Sequence, residues 1–425
     1  MSCRLLTIGY SVLLLLTVSS CSNEKKEKKF QENNLPVQPL VVKENYSDYA
    51  GKIKNGLLCD ADGSLNYCLY LPGNYTAEKK FPVLFIFDAH GDGSLPVKKY
   101  SSLAEEYGYI LVASNNSKNG LQYDAIQRIA SIMIQDAEAK LSIDMQKRYT
   151  LGFSGGSRVA GFVASHEKNF AGVIGCGAPF LDESMKSIPG FFCFGFAGND
   201  DFNLIELTRS HETFNKAGLT NYLMVFEGKH EWPDSSIMLN AFEMLTISDT
   251  KKREAFSKKI STSTSNMMKQ EKIFAEESLM QKKYLDGFAS QNIVWWRNEI
   301  TKLQQCGKTN KVNEEVHRCK RLLSYIGLAI YSYSNGAINN HQDADAQKFL
   351  EIYRMADESN SEQRFLEAVL KARQGNKTEA INLLSEAVRF GFSDFQRIEN
   401  HPDLQNIKSF DGYAQIFSQS KTEQP

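Results

Sequence analysis

The run Gly152-Phe153-Ser154-Gly155-Gly156 closes the apolar stretch YTLGF and opens the helix-like stretch SRVAGFVASH. A serine oxygen becomes a nucleophile when a base takes its proton, and a tight strand-to-helix turn presents it best. Gly152 and Gly156 bring no side chain that would clash in such a turn. The helix start behind Ser154 offers free backbone N–H groups to a developing negative charge. Glycine–serine clusters also make plain flexible turns, so the motif needs partners elsewhere in the chain.

A serine nucleophile needs a base, and the base an acid to orient it. On a strand–helix sheet they follow in the order serine, acid, histidine, each after a strand. FFCFGFAG is followed by NDDFN, offering Asp200 and Asp201, and NYLMVFEG by KHEWP, offering His230. Asp201 is the expected acid, three residues after the strand-ending Gly198; Asp200 is expected to serve a turn or cap. Taken alone, His230 reads as a structural loop histidine; the ordered triple makes it the expected base.

An oxyanion hole needs two N–H donors. One is expected from Gly155, the other from His90-Gly91-Asp92-Gly93 at the end of FPVLFIFDAHGDG, with Asp92 first and Gly91 next. Asp88, His90 and Asp92 together suggest a metal site, but no further ligand cluster supports one. A hydrogen-bonded loop is the expectation there, with no metal and no cofactor. Trp232 and Phe180 are candidates for an aromatic wall on the substrate side, with Trp232 equally readable as a packing residue.

GFSGG, the His-Gly loop, the acid after the seventh strand and GKHEWP resemble an α/β-hydrolase. They are most similar to the esterase branch of polyhydroxybutyrate depolymerases, feruloyl esterases and acetylxylan esterases, where Trp-Pro often follows the histidine. The likeness spans about Asn55 to Met244. Gly155 departs from the serine-alanine-glycine form usual in that branch, and FAGNDDFN lacks its small polar pair before the acid. The resemblance implies that Ser154 attacks an acyl carbon, His230 takes its proton and Asp201 holds the imidazole.

These residues need an element order to position them. Eight strand-like runs lie between Asn55 and Met244, the first two forming a hairpin and the other six separated by helix-length segments. The later runs are apolar almost throughout, as strands covered on both faces should be. The expected fold class is α/β: an α/β-hydrolase with an eight-stranded, mostly parallel sheet and helices on both faces, its ligand sites at the carboxyl ends of the strands. An all-α region follows. EQRFLEAVLKARQGNKTEAINLLSEAVRFGF resembles one tetratricopeptide-like helix pair turning at Gln374-Gly375-Asn376, and NGAINNHQDADA before it reads as a loop. The expected divisions are 1–20, 21–45, 46–247 for the hydrolase, 248–340 helical, and 341–425 for the repeat-like region.

At 425 residues several domains are expected, and the formal net charge of −1 offers no field for nucleic acid. Arg4, a short apolar run and the ending VSSC read as a signal peptide, and the ending resembles a bacterial lipobox with Cys21 as the lipidated residue. SNEKKEKKFQENNLPVQP then reads as a disordered tether. Export makes disulfides plausible between Cys59 and Cys68 across a hairpin, and between Cys306 and Cys319 across a polar loop. Cys176 and Cys193 read as buried small hydrophobes. The short PFLDESMKSIPG, where lids are often inserted, implies an open site suited to bulky esters. The leading reading is an exported serine esterase on a lipid anchor, outer membrane first, acting on a small or polymeric ester. A serine peptidase, or a lipoprotein binding module recruiting a protein through its helices, remain alternatives.

Overall fold

The computed structural model describes residues 46–167, 169–180, 190–247, 249–260, 271–308 and 314–418. The expected signal peptide, the tether and Cys21 lie outside them, as does most of the PFLDESMKSIPG connection.

Eight strands form one sheet in the order β1-β2-β4-β3-β5-β6-β7-β8. They are β1 (Ile53–Cys59), β2 (Asp62–Tyr70), β3 (Phe81–Phe87), β4 (Ile110–Ser114), β5 (Ile143–Phe153), β6 (Gly172–Cys176), β7 (Phe192–Gly198) and β8 (Thr220–Phe226). β1 and β2 pair antiparallel, β2 joins β4 antiparallel, and β3 lies parallel to β4 and β5. Helices α1 (Ser94–Tyr107), α2 (Tyr123–Lys140), α3 (Gly155–His166), α4 (Leu204–Lys216) and α5 (Ser235–Thr246) alternate with the strands. The expected α/β class, an eight-stranded sheet alternating with helices and followed by a helical region, is the one observed. β5 begins six residues before YTLGF, because its first half is polar and half-exposed and carries no apolar signal.

Of the described residues, one compact unit takes those up to Gly175 together with those within Pro179–Cys193 and Glu212–Thr220. Its core gathers Tyr67 and Leu69 of one β2 face, and Leu71 just beyond that strand, with Val83, Phe85 and Phe87 of β3 and with Met133 and Val163 of α2 and α3. The expected Cys59–Cys68 disulfide does not form; both thiols are free and buried. Strand alternation explains this. Cys59 joins the face of Leu65, Tyr67 and Leu69, while Cys68, one residue out of phase, points to the opposite face. The register pairs Cys59 with Asp62 instead. Burial pushes each of these thiols up to about 11.

The second unit takes Cys176–Ala178, Phe194–His211 and the described residues from Asn221 onward, so it holds most of β7 and β8 together with the described helices after them. The expected boundary at residue 247 falls inside it. Its later helices are α6 (Thr250–Ile260), α7 (Glu271–Ser290), α8 (Ile293–Gly307), α9 (Glu314–Asn339), α10 (Asp343–Ala356), α11 (Ser361–Arg373), α12 (Lys377–Arg389), α13 (Phe395–Asn400) and α14 (Tyr413–Ser418). The segment NGAIN, expected to be a loop, is the last turn of α9. Buried Ala337 and Ile338 continue its apolar face, outweighing the glycine and asparagines in local preference. α11 and α12 pack together, with Leu366, Ala368, Leu370, Ala380, Leu383, Leu384 and Ala387 buried in one core. Gly375 (φ 80°) makes the turn between them, and Gly391 (φ 98°) closes the second helix. Trp296 is fully buried and stacks on Phe288.

Cys306, near the end of α8, and Cys319, in the second turn of α9, are disulfide-bonded across a sequence separation of 13. Closing a loop of that size removes unfolded-state entropy worth about 3 kcal/mol. Cys306→Ser should therefore lower the stability of the oxidised protein by about that amount in urea titration, and reductant should then change the variant little.

Candidate active site

The elbow is built from two backbone approaches. Ser154 sits at φ 54°, ψ −122°, a conformation an L residue holds only under constraint. A Cβ at Gly152 would lie 2.1 Å from the Gly156 carbonyl oxygen, and one at Gly156 would lie 2.0 Å from the Phe87 carbonyl oxygen. Both obstacles are main chain and cannot swing aside. β3 and the elbow thus touch backbone to backbone, which fixes the turn and aims the serine. Ser154 is half-buried, and its carbonyl accepts from the amides of Ser157 and Arg158, opening α3. The Gly155 amide stands ahead of the first of those bonds, as an oxyanion donor requires.

Gly155 has its own reason. A Cβ there would come within 1.7 Å of the Asn119 side-chain oxygen. The carboxamide of Asn119, on the exposed loop after β4, fills the space an alanine would take, and the Asn119 backbone amide donates to the Ala89 carbonyl at 2.9 Å. Asn119 gives no sign in the sequence, since it lies in a polar loop with no motif around it.

The loop after β3 is held by its own carboxylates. Asp88, almost fully buried, accepts from the His90 amide at 2.7 Å through Oδ1 and also lies 3.4 Å from His90 Nδ1, which raises the pKa of that imidazole. Gly91 takes φ 77° and donates its amide to the Asp88 carbonyl. Asp92, just before the Gly93 cap of α1, accepts from the first-turn amides of Ser94 and Leu95 and from the Ser94 hydroxyl. The Gly91 amide is therefore engaged within the loop. The Asp92 amide, among the described residues, has no hydrogen-bond partner.

Asp201 and His230 come together at the ends of β7 and β8. Asp201 Oδ1 lies 3.0 Å from His230 Nδ1 and accepts from the Asn203 amide at 2.8 Å. The Asp201 side chain is 1% exposed and that of His230 18%. A buried carboxylate on Nδ1 holds the N–H tautomer there and leaves Nε2 as the basic nitrogen. Phe202 packs on the imidazole with ring centroids 4.2 Å apart, and Asn203 donates its side-chain amide to the Gly177 carbonyl. Neither was marked by sequence reasoning, although both stand in the NDDFN segment that supplied the acid.

The two aromatic candidates are not an exposed wall. Phe180 is 6% exposed; its side chain occupies space left free by Gly161 and Gly175, and its ring lies 6.0 Å from that of Phe214. It belongs to the core, where the paired glycines admit it. Trp232 is likewise 6% exposed and offers no open platform. Among the described residues, the cluster of His, Cys, Asp or Glu groups with metal-like spacing is Cys306, Glu315 and Cys319, and its two sulfurs are bonded to each other.

No protein-family model and no curated protein matches this chain. Solved structures similar to part of it include a ferulic acid esterase, at 20% identity over 47% of this chain and 98% of that one, with a TM-score of 0.37. Esterase B from Lactobacillus rhamnosis is 19% identical over 50% of this chain and 88% of its own, with a TM-score of 0.37. A feruloyl esterase module from Clostridium thermocellum complexed with sinapinate is 16% identical over 50% and 95%, with a TM-score of 0.39.

The two elbow glycines should respond differently to alanine. Gly156→Ala meets backbone and should cost about 3 kcal/mol or more in urea unfolding. Gly155→Ala meets only a movable side chain and should cost less than about 1 kcal/mol, with Asn119→Ala removing the cost.

Proposed function

We propose that this chain is an exported serine hydrolase that cleaves carboxylic esters with Ser154, Asp201 and His230, anchored by lipid at Cys21 to a bacterial membrane, the outer membrane first. The observation that carries this reading is the hydrogen bond from His230 to buried Asp201 at the strand ends where a hydrolase needs its acid and base. The strained φ of Ser154 supports it, because such backbone strain concentrates where a side chain must be presented.

In this mechanism Nε2 of His230 accepts the Ser154 hydroxyl proton as the oxygen attacks the acyl carbon. The carbonyl oxygen takes the electron pair, and its charge is held by the amides of Gly155 and Asp92. Collapse expels the alkoxide, which takes the proton back from the imidazolium and leaves as the alcohol. The acyl-enzyme is then attacked by water that gives a proton to His230; collapse releases the acid and returns that proton to Ser154. Asp201 stays ionised throughout, stabilising the imidazolium and fixing its direction. The ester is of feruloyl, acetylxylan or hydroxyalkanoate type, a reading supported by the HEWP and GFSGG resemblance. The helical region serves as a partner-recruiting surface in the tetratricopeptide manner.

A fluorophosphonate probe should label the protein, and Ser154→Ala should abolish labelling; an unlabelled parent refutes the nucleophile. Against p-nitrophenyl acetate, Ser154→Ala and His230→Ala should each lower kcat by about 10⁴-fold or more, with the double variant no worse. Acetyl, feruloyl and hydroxybutyrate esters tested beside aminoacyl amides identify the substrate class, and turnover of the amides alone overturns the ester reading. Radiolabelled palmitate should enter the full chain in a Gram-negative host and be lost in Cys21→Ser.

A further inference from the structure

We propose that His317, Lys320 and Arg321 of α9 are positioning residues for the catalytic acid, so that the helical region sets the geometry of the acid–histidine pair. The inference rests on the serine hydrolase reading.

Asn199 and Asp200, immediately before Asp201, are gripped from α9. Asp200 is 6% exposed, and its two oxygens are divided between His317 Nδ1 at 2.6 Å and Lys320 Nζ at 2.9 Å. The Asn199 carbonyl accepts from Arg321 Nη1 at 2.7 Å. Arg321 is itself fully buried, its Nε and Nη2 held by Glu277 of α7 and its Nη2 also by Glu314. The other side of the same dipeptide carries the histidine loop. The Asn199 amide donates to the Phe226 carbonyl at 2.8 Å and the Asp200 amide to the Gly228 carbonyl at 2.9 Å. The Gly228 amide returns a bond to the Asn199 side chain at 3.2 Å. Asn199 and Asp200 thus bridge α9 and the loop that holds His230.

A turn aspartate needs one local backbone partner. This one takes two cationic or imidazole donors from 117 and 120 residues further along the chain. Stability is a poor explanation, since burying such charges costs roughly what their pairing returns and apolar packing serves as well. Direction is what the arrangement supplies. With the Asn199 carbonyl and the Asp200 carboxylate fixed, the next residue has little freedom to swing its carboxylate away from His230 Nδ1. Small misplacements of a catalytic group cost up to about 10²-fold in rate.

The test uses the full chain. On p-nitrophenyl acetate, His317→Ala and Lys320→Ala should each lower kcat about tenfold with KM within about twofold of the parent. His317→Asn, which keeps an N–H donor near the Nδ1 position, should recover most of the loss. A second readout needs no turnover: the downfield proton resonance of His230 Nδ1–H, assigned by its absence in His230→Gln, should shift or broaden in His317→Ala. Unchanged kcat and an unchanged resonance in folded variants overturn the proposal; if His317→Ala fails to fold, the half-exposed Lys320 carries the same comparison. A parent that turns over no ester but whose resonance still moves refutes the hydrolase reading and leaves the positioning role standing.

Discussion

A carboxylate can orient an imidazole only if its own backbone cannot turn. Asp201 is nearly sealed from solvent and spends one oxygen on His230 and on the Asn203 amide. Its neighbours supply the rigidity: Asn199 and Asp200 are tied to the end of β8 and the histidine loop by two backbone–backbone bonds and one from the Gly228 amide to the Asn199 side chain, and to α9 by three side chains. Gly198 belongs to the same constraint. A Cβ there would lie 2.4 Å from the carbonyl oxygens of both Gly228 and Lys229, so the two loops can pack this closely only around a glycine. The acid–histidine pair is thus a property of two loops locked together rather than of two side chains that happen to meet.

The elbow obeys the same logic with different atoms. Strain at Ser154 costs of order 1–3 kcal/mol, and it persists because the surroundings over-determine the turn. Gly152 and Gly156 let the main chain close on itself and on β3, and the first hydrogen bonds of α3 take up the Ser154 carbonyl. In both places a hydrogen-bonded backbone approach of glycine does what a bulkier residue would prevent.

Much of this was legible in the sequence for a physical reason. Strand ends in an alternating fold are marked by apolar runs stopping at polar, glycine-containing segments, so the places of Ser154, Asp201 and His230 just beyond β5, β7 and β8 can be read from where those runs end. What escaped was whatever depended on facing or on distance along the chain. Cys59 and Cys68 flank a turn as a disulfide pair would, yet their phase on the strands sends them to opposite faces. Phe180 reads as a site aromatic until Gly161 and Gly175 are seen to make room for it in the core. The last turn of α9 reads as a loop because its glycine and asparagines outvote two buried apolar residues. Asp200 reads as a spare turn residue because its partners stand more than a hundred positions away.

That last case bears on how the helices after β8 are tied to the strand ends. An appended helical region would be free to drift if it met the rest through apolar contact alone, since such contact is tolerant of direction. Here the second unit instead runs buried charge through its interior, from Glu277 and Glu314 to Arg321 and on to the Asn199 carbonyl. Removing one member would strand a buried charge, at a cost of about 3–5 kcal/mol. Such a network tolerates few geometries. The compact unit that holds the acid and the histidine therefore contains α9 as well, and the boundary drawn from composition at residue 247 separates parts that the hydrogen bonds join.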